Sequence, residues 1–239
     1  MLATKEQSEI VADNLANIKT PGFKEEQGIL EPFNKVLLAR LEGFVPDYVA
    51  KEIGNSSHGV AVSEVTRNMI MGPLNKTDRP EDLALGTQGF FAIQTPDGER
   101  YTRNGHFQLD GTGTLKTTEG FEVLGTNGVI SGLSPSFTVR SDGTIIDKNV
   151  NIAKLRIVDM PVTNLKREGQ SLYSAIQPPT LANVNTVQVL QGTIENSNVD
   201  LAGQMEKMII VMRAYEANQK VIQTQDSILE KAVNEVGKL

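Results

Sequence analysis

The chain has 239 residues, of which 39% are hydrophobic, 22% are charged and 5% are aromatic, and its formal net charge at pH 7 is −6. The length allows a buried core in one elongated domain or two compact ones. The negative charge argues against nucleic acid as a partner, because phosphate binding requires a dense surface of lysine and arginine. There is no cysteine, which excludes disulfides and thiolate metal sites. The sequence contains no run of about 18 apolar residues, so no membrane-spanning segment is predicted.

Residues 1–24 are predicted to contain a helix from Ala3 to Ile18. Val11 and Leu15 lie with Ile18 on one apolar stripe of this helix. The helix is expected to end before Pro21, because the residue preceding a proline is pushed out of the helical region and proline cannot continue the helix. The first residues lack the basic and apolar regions of a cleavable signal peptide, so no cleaved signal is expected.

Residues 25–75 are predicted to connect the first helix to a β domain. Apolar residues at helical spacing predict a short helix here; they are Ile29, Leu30, Phe33, Val36, Leu37 and Leu41. A strand is predicted over residues 59–65, because Val60 and Val62 alternate with smaller residues.

Residues 76–185 are predicted to form an all-β domain. Turn-forming dipeptides recur along this stretch: Asp97-Gly98, Asn104-Gly105, Asp110-Gly111, Asn127-Gly128 and Asp142-Gly143. Short β-prone runs lie between them, at residues 90–93, 101–103, 121–124, 137–139, 144–146 and 154–158. Evenly spaced short strands separated by turn signals indicate a sandwich or barrel-like domain.

Residues 186–239 are predicted to be a return segment followed by a long helix. Positions spaced alternately by four and three residues form a mostly apolar seam of about five heptads: Leu201, Met205, Met208, Met212, Tyr215, Gln219, Ile222, Asp226, Leu229, Val233 and Val236. Such a stripe is compatible with a core helix, but its length favours a coiled coil or helical bundle. Ser197 and Asp200 have the spacing of a capping box before the helix.

The two predicted helices differ in length, and this difference bears on assembly. The first helix is too short to cover the seam of the second. Part of the seam is therefore expected to face other chains, or to be poorly ordered until they bind. Because the helices come from opposite ends of the chain, the β domain is predicted to be an insertion between two halves of one helical module.

The sequence contains little that indicates catalysis. The two histidines, His58 and His106, have no metal-ligand spacing around them. The sequence GTGTLK at residues 111–116 lacks the spacing of a phosphate-binding loop and is interpreted as a hairpin turn. No nucleophile motif is present. We therefore expect no enzymatic activity, no cofactor and no metal.

Three motifs together resemble the axial proteins of the bacterial flagellum, in particular basal-body rod proteins of the FlgG/FlgF type. The first is DNLANIKTPGFK at residues 13–24. The second is LNKTDRPEDLALGTQGFF at residues 74–91, followed by YTRNGHF at residues 101–107. The third is QGTIENSNVDL at residues 191–201. They occur in the family's order and reach nearly from end to end of the chain.

The resemblance implies a structural subunit of the flagellar rod, mainly β with helical termini that form a coiled-coil-like module. Its implied partners are other copies of itself, neighbouring rod and hook proteins, and the flagellar export apparatus, which exports it without a cleaved signal. Family members carry further residues before the position that matches Met1, so the first helix is expected to be short. The residues expected to act in assembly are Val11, Asn14, Leu15, Asn17, Ile18, Thr20, Pro21, Gly22, Phe23, Asn196, Ser197, Asn198, Leu201, Met205, Met208, Met212, Tyr215, Ile222 and Leu229.

Three alternative functions are considered beside the rod subunit. A hook-type axial protein would share the same terminal motifs. A cell-wall enzyme would need a polar cleft with an activated carboxylate, which no motif marks. A soluble coiled-coil adaptor would not require the N-terminal motif.

Overall fold

The computed structural model describes residues 1–32, 36–40, 51–56, 59–169, 171–182 and 187–236. Helix α1 (Leu2–Ala16) stands at the N-terminus and helix α2 (Leu201–Val236) at the C-terminus, with β-strands between them. The predicted fold class, mainly β with helical termini, is confirmed. No helix in these residues is long and apolar enough to cross a membrane.

The described strands are numbered along the chain. They are β1 (Glu26–Pro32), β2 (Val36–Arg40), β3 (Lys51–Ser56), β4 (Val60–Arg67), β5 (Leu74–Lys76), β6 (Leu83–Leu85), β7 (Phe90–Thr95), β8 (Gly98–Thr102), β9 (Phe107–Leu109), β10 (Leu115–Thr117), β11 (Glu122–Gly125), β12 (Gly128–Val129), β13 (Thr138–Val139), β14 (Thr144–Asp147), β15 (Val150–Lys154), β16 (Ile157–Asp159), β17 (Leu165–Glu168), β18 (Leu172–Ala175), β19 (Thr180–Leu181), β20 (Val189–Gln191) and β21 (Thr193–Glu195). A 3₁₀-helix spans Val162–Asn164.

The chain divides into two compact units. The smaller unit contains Met1–Asp13, Glu26–Thr66 and Ala202–Leu239, and the larger unit contains Asn14–Glu25 and Arg67–Leu201. Both are discontinuous in sequence.

The larger unit is built on a ten-stranded sheet to which β7 belongs. Phe91 and Ile93 of β7 belong to one buried cluster, and Phe90 and Ala92 belong to another on the opposite face. A strand covered on both faces needs apolar side chains at every position. This explains why residues 90–93 form an unbroken apolar run rather than an alternating pattern.

The smaller unit places α1 against the sheet formed by β1 and β4. Gly28 of β1 permits this approach, because a Cβ atom there would lie 2.9 Å from Cδ1 of Ile10. Val11 is buried in α1. The hydroxyl of Ser8 contacts the sulfur of Met208 in α2 at 3.8 Å. The N-terminal helix therefore contacts the long C-terminal helix, although over only a small part of its length.

The short helix predicted between residues 29 and 41 is wrong. Ile29 and Leu30 lie in β1, and Val36 and Leu37 lie in β2. Phe33 and Leu41 fall outside the described residues. The apolar spacing in this stretch is compatible with a helix and with a strand. Strand pairing decided between them, because β1 pairs with β4 and β2 pairs with β3.

Two predictions in the β domain need correction. Residues 154–158 are not one strand, because β15 ends at Lys154 and β16 begins at Ile157. The positive φ expected of the turn dipeptides is absent at Gly111, where Gly113 has it instead, and at Gly105. Gly105 is required for close packing, since a Cβ atom there would lie 1.6 Å from the carbonyl oxygen of Leu83.

Helix α2 begins at Leu201, so Ser197 is too far upstream to cap it. The Ser197 hydroxyl instead accepts a hydrogen bond from the backbone N–H of Val199 at 3.3 Å. The predicted capping box is therefore wrong, and Asp200 is the residue that directly precedes the helix.

Among the described side chains of α2, the buried or half-buried ones are Gln204, Met208, Val211, Ala214 and Asn218. Of the predicted seam residues with described side chains, only Met208 belongs to this set. Within one chain, the seam is thus mainly a solvent-exposed surface.

Candidate functional site

The first motif forms a compact turn after α1. Asn14 and Asn17 are buried, with 1% and 3% of their surface exposed. The Thr20 hydroxyl lies 3.2 Å from Oδ1 of Asn17, and the backbone N–H of Thr20 donates to the Asn17 carbonyl at 3.0 Å. The N–H of Phe23 then donates to the Thr20 carbonyl at 3.3 Å. These contacts redirect the chain after α1, the role expected for cap and turn residues.

Gly22 occupies a position that only glycine fits. Its φ of +70° is in the left-handed region, and a Cβ atom there would lie 2.4 Å from the backbone carbon of Arg103. The N–H of Gly22 donates to the carbonyl of Glu195 at 2.7 Å. The first and third motifs, far apart in sequence, therefore meet through their backbones. We call this meeting point the junction: residues 20–25, 68–73 and 195–198, together with Arg103.

A buried charge cluster lies at the centre of the junction. It consists of Lys24, Arg103 and Glu195, which are 2%, 5% and 1% exposed. Nζ of Lys24 donates to Oε1 of Glu195 at 2.6 Å, and Nε of Arg103 lies 3.1 Å from Oε2. Arg103 also donates to the carbonyls of Thr87 and Gly89, at 2.7 Å each. The carboxylate of Glu195, in the third motif, thus contacts Lys24 of the first motif and Arg103 of the second.

Two cations contact one carboxylate in this cluster, and Asp159 adds a weaker attraction on Arg103. Burial lowers the pKa of Lys24; Glu195 opposes this effect, and the Arg103 guanidinium adds to it. Burial also lowers the pKa of Arg103, again against the attraction of Glu195. A buried charge without its partner is strongly destabilising. Glu195 is therefore the residue on which the other two depend.

Asn198 forms the second link of the junction. Its Oδ1 accepts from the N–H of Glu25 at 2.8 Å, and its Nδ2 donates to the carbonyls of Asn68 at 2.8 Å and Ile70 at 3.0 Å. One amide group therefore holds two separate chain segments, which requires both a donor and an acceptor on one side chain.

The third motif also packs closely against residues 72–73. The N–H of Asn196 donates to the Pro73 carbonyl at 2.9 Å. A Cβ atom on Gly72 would lie 2.0 Å from the Asn196 carbonyl oxygen, so only glycine fits there. Phe23 is buried, and the Arg167 guanidinium lies 5.2 Å from its ring centroid, a favourable cation–π arrangement.

Most of the site residues predicted from the two terminal motifs fall within the junction: Thr20, Pro21, Gly22, Phe23, Asn196, Ser197 and Asn198. Asn14 and Asn17 are buried just before it in the chain. The predicted helix residues Leu201, Met205, Met212, Tyr215, Ile222 and Leu229 are exposed on α2. Leu15 and Ile18 are half-buried. Their part in assembly stays a prediction.

The sequence patterns assigned no role to Lys24, Arg103 and Glu195. All three stand inside the quoted motifs, as charged residues among turn-forming and apolar neighbours. Their position inside those motifs was the only sequence signal of a role. Their pairing could not be predicted, because it depends on contacts between distant residues: Lys24 and Glu195 are 171 positions apart.

His106 contacts a buried carboxylate. Its Nδ1 lies 2.7 Å from Oδ1 of Asp82, which is 1% exposed. The described part of the chain contains no group of three or more metal-ligating side chains. His58 falls outside the described residues.

The motifs of this chain meet at a buried junction, and its long helix α2 exposes apolar residues. These features are typical of a structural subunit. Comparison with known proteins specifies the class further. Residues 84–152 match the flagellar hook protein FlgE/F/G D1 domain, and residues 190–235 match the flagellar basal body rod FlgEFG protein C-terminal region.

Three relatives match over nearly their whole length. The chain is 34% identical to the flagellar hook-basal body complex protein FlhO of Bacillus subtilis, with 100% of this chain and 96% of that protein covered. It is 32% identical to the flagellar basal-body rod protein FlgF of Caulobacter vibrioides, covering 100% and 95%. It is 31% identical to FlgG of Bacillus subtilis, covering 95% and 92%.

The chain therefore belongs to the flagellar basal-body rod protein family. It is a structural subunit of the flagellar basal-body rod and not an enzyme. The recognition made from the three motifs is confirmed.

Proposed function

We propose that this subunit polymerises through its terminal helices into the axial tube of the rod, which transmits torque during motility. The proposed joining module comprises residues 1–24 and residues 186–239. The proposed partners are other copies of the chain and neighbouring rod or hook subunits. The proposed route of delivery to the tube is the flagellar export apparatus.

The exposed C-terminal half of α2 is the observation that supports this proposal most directly. Every side chain from residue 219 to residue 234 is exposed. Apolar members of this stretch include Ile228 at 59%, Leu229 at 62% and Val233 at 71% exposure. Burying the exposed part of each such side chain gains roughly 1–2 kcal/mol. A helix of about 54 Å (36 residues at about 1.5 Å each) therefore offers a large apolar surface to other chains.

The junction supports the proposal in a second way. It fixes the chain immediately after α1 and immediately before α2, through Gly22, Lys24, Glu195 and Asn198. All four residues belong to the larger unit, so the segments that lead to the two terminal helices leave that unit from fixed positions. A buried ion pair with good hydrogen bonds defines the geometry of the backbone around it.

The substitution Leu229→Asp tests the role of the helix. Leu229 is exposed, so the change should alter the unfolding free energy of the monomer by less than about 0.5 kcal/mol. It should nevertheless prevent incorporation into basal bodies, because it places a charge in the proposed contact. Incorporation is measured by immunoblotting of isolated basal bodies, and export by immunoblotting of the culture medium.

The matched control is Ala217→Asp, which places the same charge at an exposed position of α2 outside the seam. At 100° per residue, Ala217 lies about 140° around the helix from Ile222 and about 120° from Leu229. This control should be incorporated at the wild-type level. Normal incorporation of Leu229→Asp would contradict the helix proposal.

A further inference from the structure

The segment between β4 and β5 is fixed by hydrogen bonds from the junction. Nζ of Lys24 and Nδ2 of Asn198 both donate to the Ile70 carbonyl, at 2.8 Å and 3.0 Å. The N–H of Gly72 donates to the Glu195 carboxylate at 2.9 Å. The side chains of Lys24, Glu195 and Asn198 therefore hold the backbone of residues 70–72 in one conformation.

The same segment presents apolar side chains to solvent. Ile70 is 70% exposed, Met71 is 42% exposed and Leu74 is 38% exposed. Residues 68–75 contain no charged side chain, in a chain of which 22% is charged. We call Ile70, Met71 and Leu74 the apolar patch. Exposed apolar residues on a rigid backbone are typical of a contact surface, because little conformational entropy is lost when a partner binds.

We propose that the apolar patch binds residues 208–212 of α2 in a second copy of this chain. This inference rests on the proposed polymerisation, to which it adds a contact between the apolar patch of one copy and α2 of another. Residues 208–212 are five consecutive apolar residues, and Ile209, Ile210 and Met212 are each more than half exposed.

The two surfaces are chemically compatible. Neither contains a charged side chain, so the contact leaves no buried charge unpaired. Both contain methionine, whose flexible side chain fills irregular gaps. Because the patch and the helical stretch are different surfaces, each copy can bind one neighbour with each surface. A contact of this heterologous kind generates an open helical polymer when its rotation does not close a ring.

Cysteine cross-linking tests the contact directly, since the chain has no cysteine of its own. One tagged chain carries Ile70→Cys and a second, differently tagged chain carries Ile210→Cys. Both are expressed in the same cells, and isolated basal bodies are oxidised. We expect a covalent dimer carrying both tags. Replacing Ile70→Cys by Ile176→Cys provides the control, because Ile176 is 68% exposed and lies outside the patch.

A second pair of variants measures the effect on assembly. Ile70→Asp should lower incorporation into basal bodies by roughly tenfold or more, without changing the urea midpoint of the monomer. Ile176→Asp should be incorporated like the wild type. Wild-type incorporation of Ile70→Asp would overturn the proposal. Loss of incorporation without the mixed-tag dimer would also overturn it, because the patch would then bind a different subunit.

These outcomes are separable from those of the helix proposal. If Leu229→Asp assembles normally and Ile70→Asp does not, the proposal for the exposed C-terminal half of α2 fails while the patch proposal stands. The reverse result overturns the patch proposal and leaves the proposal for α2 in place.

Discussion

Replacing Glu195 by glutamine is the most direct test of the buried cluster. The substitution keeps the shape of the side chain and removes its charge. In the wild type, Glu195 accepts from Lys24 at 2.6 Å and from the Gly72 N–H at 2.9 Å, and it lies 3.1 Å from Arg103. In the variant, two buried cations have no anion between them.

The size of the effect follows from the charge balance. Removing one partner of a buried ion pair destabilises a protein by about 3–5 kcal/mol, and we expect Glu195→Gln to fall in this range. Lys24→Met should cost less, about 1.5–3 kcal/mol, because Glu195 keeps Arg103 as its counter-charge and the Ile70 carbonyl keeps the Asn198 amide. The double variant should be less destabilised than the sum of the two, by roughly 0.5–3 kcal/mol.

Urea unfolding followed by near-ultraviolet circular dichroism provides the measurement. The chain has no tryptophan, and two of its four tyrosines, Tyr101 and Tyr173, are buried in the larger unit, so the signal of these two reports on that unit. The unfolding free energy is obtained from the midpoint and slope of the transition. If Glu195→Gln is no more destabilising than Lys24→Met, the charge-imbalance argument is refuted.

Two further predictions concern a glycine and a carboxylate. Gly22→Ala should destabilise the chain in urea unfolding by at least roughly 1–3 kcal/mol, because it adds backbone strain at a positive φ and also places a Cβ atom 2.4 Å from the backbone carbon of Arg103. Gly111→Ala, whose Cβ atom meets no atom within 4 Å, is the control and should change stability by less than about 0.5 kcal/mol. Hydrogen bonds from Ser134 lower the pKa of Asp147 below its usual value of 3.8. Ionised Asp147 therefore stabilises the folded chain above pH 3.8, and this contribution is lost as the pH falls through the folded pKa. Asp147→Asn should accordingly be less stable than the wild type at pH 6. The urea midpoints of the variant and the wild type, measured at decreasing pH, should converge below pH 3.8. A difference between the two midpoints that stays constant with pH would contradict the assignment.

Several elements could be predicted from local sequence. The apolar periodicity of the C-terminal segment predicted a long helix over residues 199–236, and α2 spans Leu201–Val236. The turn dipeptides separated most of the β-strands, and Gly98, Gly128 and Gly143 all have positive φ. These predictions succeed because helix periodicity and turn chemistry depend on neighbouring residues alone.

Other features depended on contacts that local patterns do not contain. Residues 29–41 fit a helical period, but pairing with β4 and β3 places the described residues in strands. Asn104-Gly105 has the sequence of a tight turn, yet Gly105 is required by the approach of Leu83. Tertiary packing overrides local propensity in both cases.

The mainly β fold with helical termini and, through three motifs, membership of the rod protein family follow from the amino-acid sequence alone. The same motifs predicted that the ends of the chain act in assembly. How those ends are fixed depends on the tertiary structure, because Lys24, Arg103 and Glu195 acquire their role when distant segments bury them together. The face of α2 that contacts its own chain is likewise a property of the folded molecule. Burial depends on the arrangement of the whole fold, whereas periodicity is contained in a single segment.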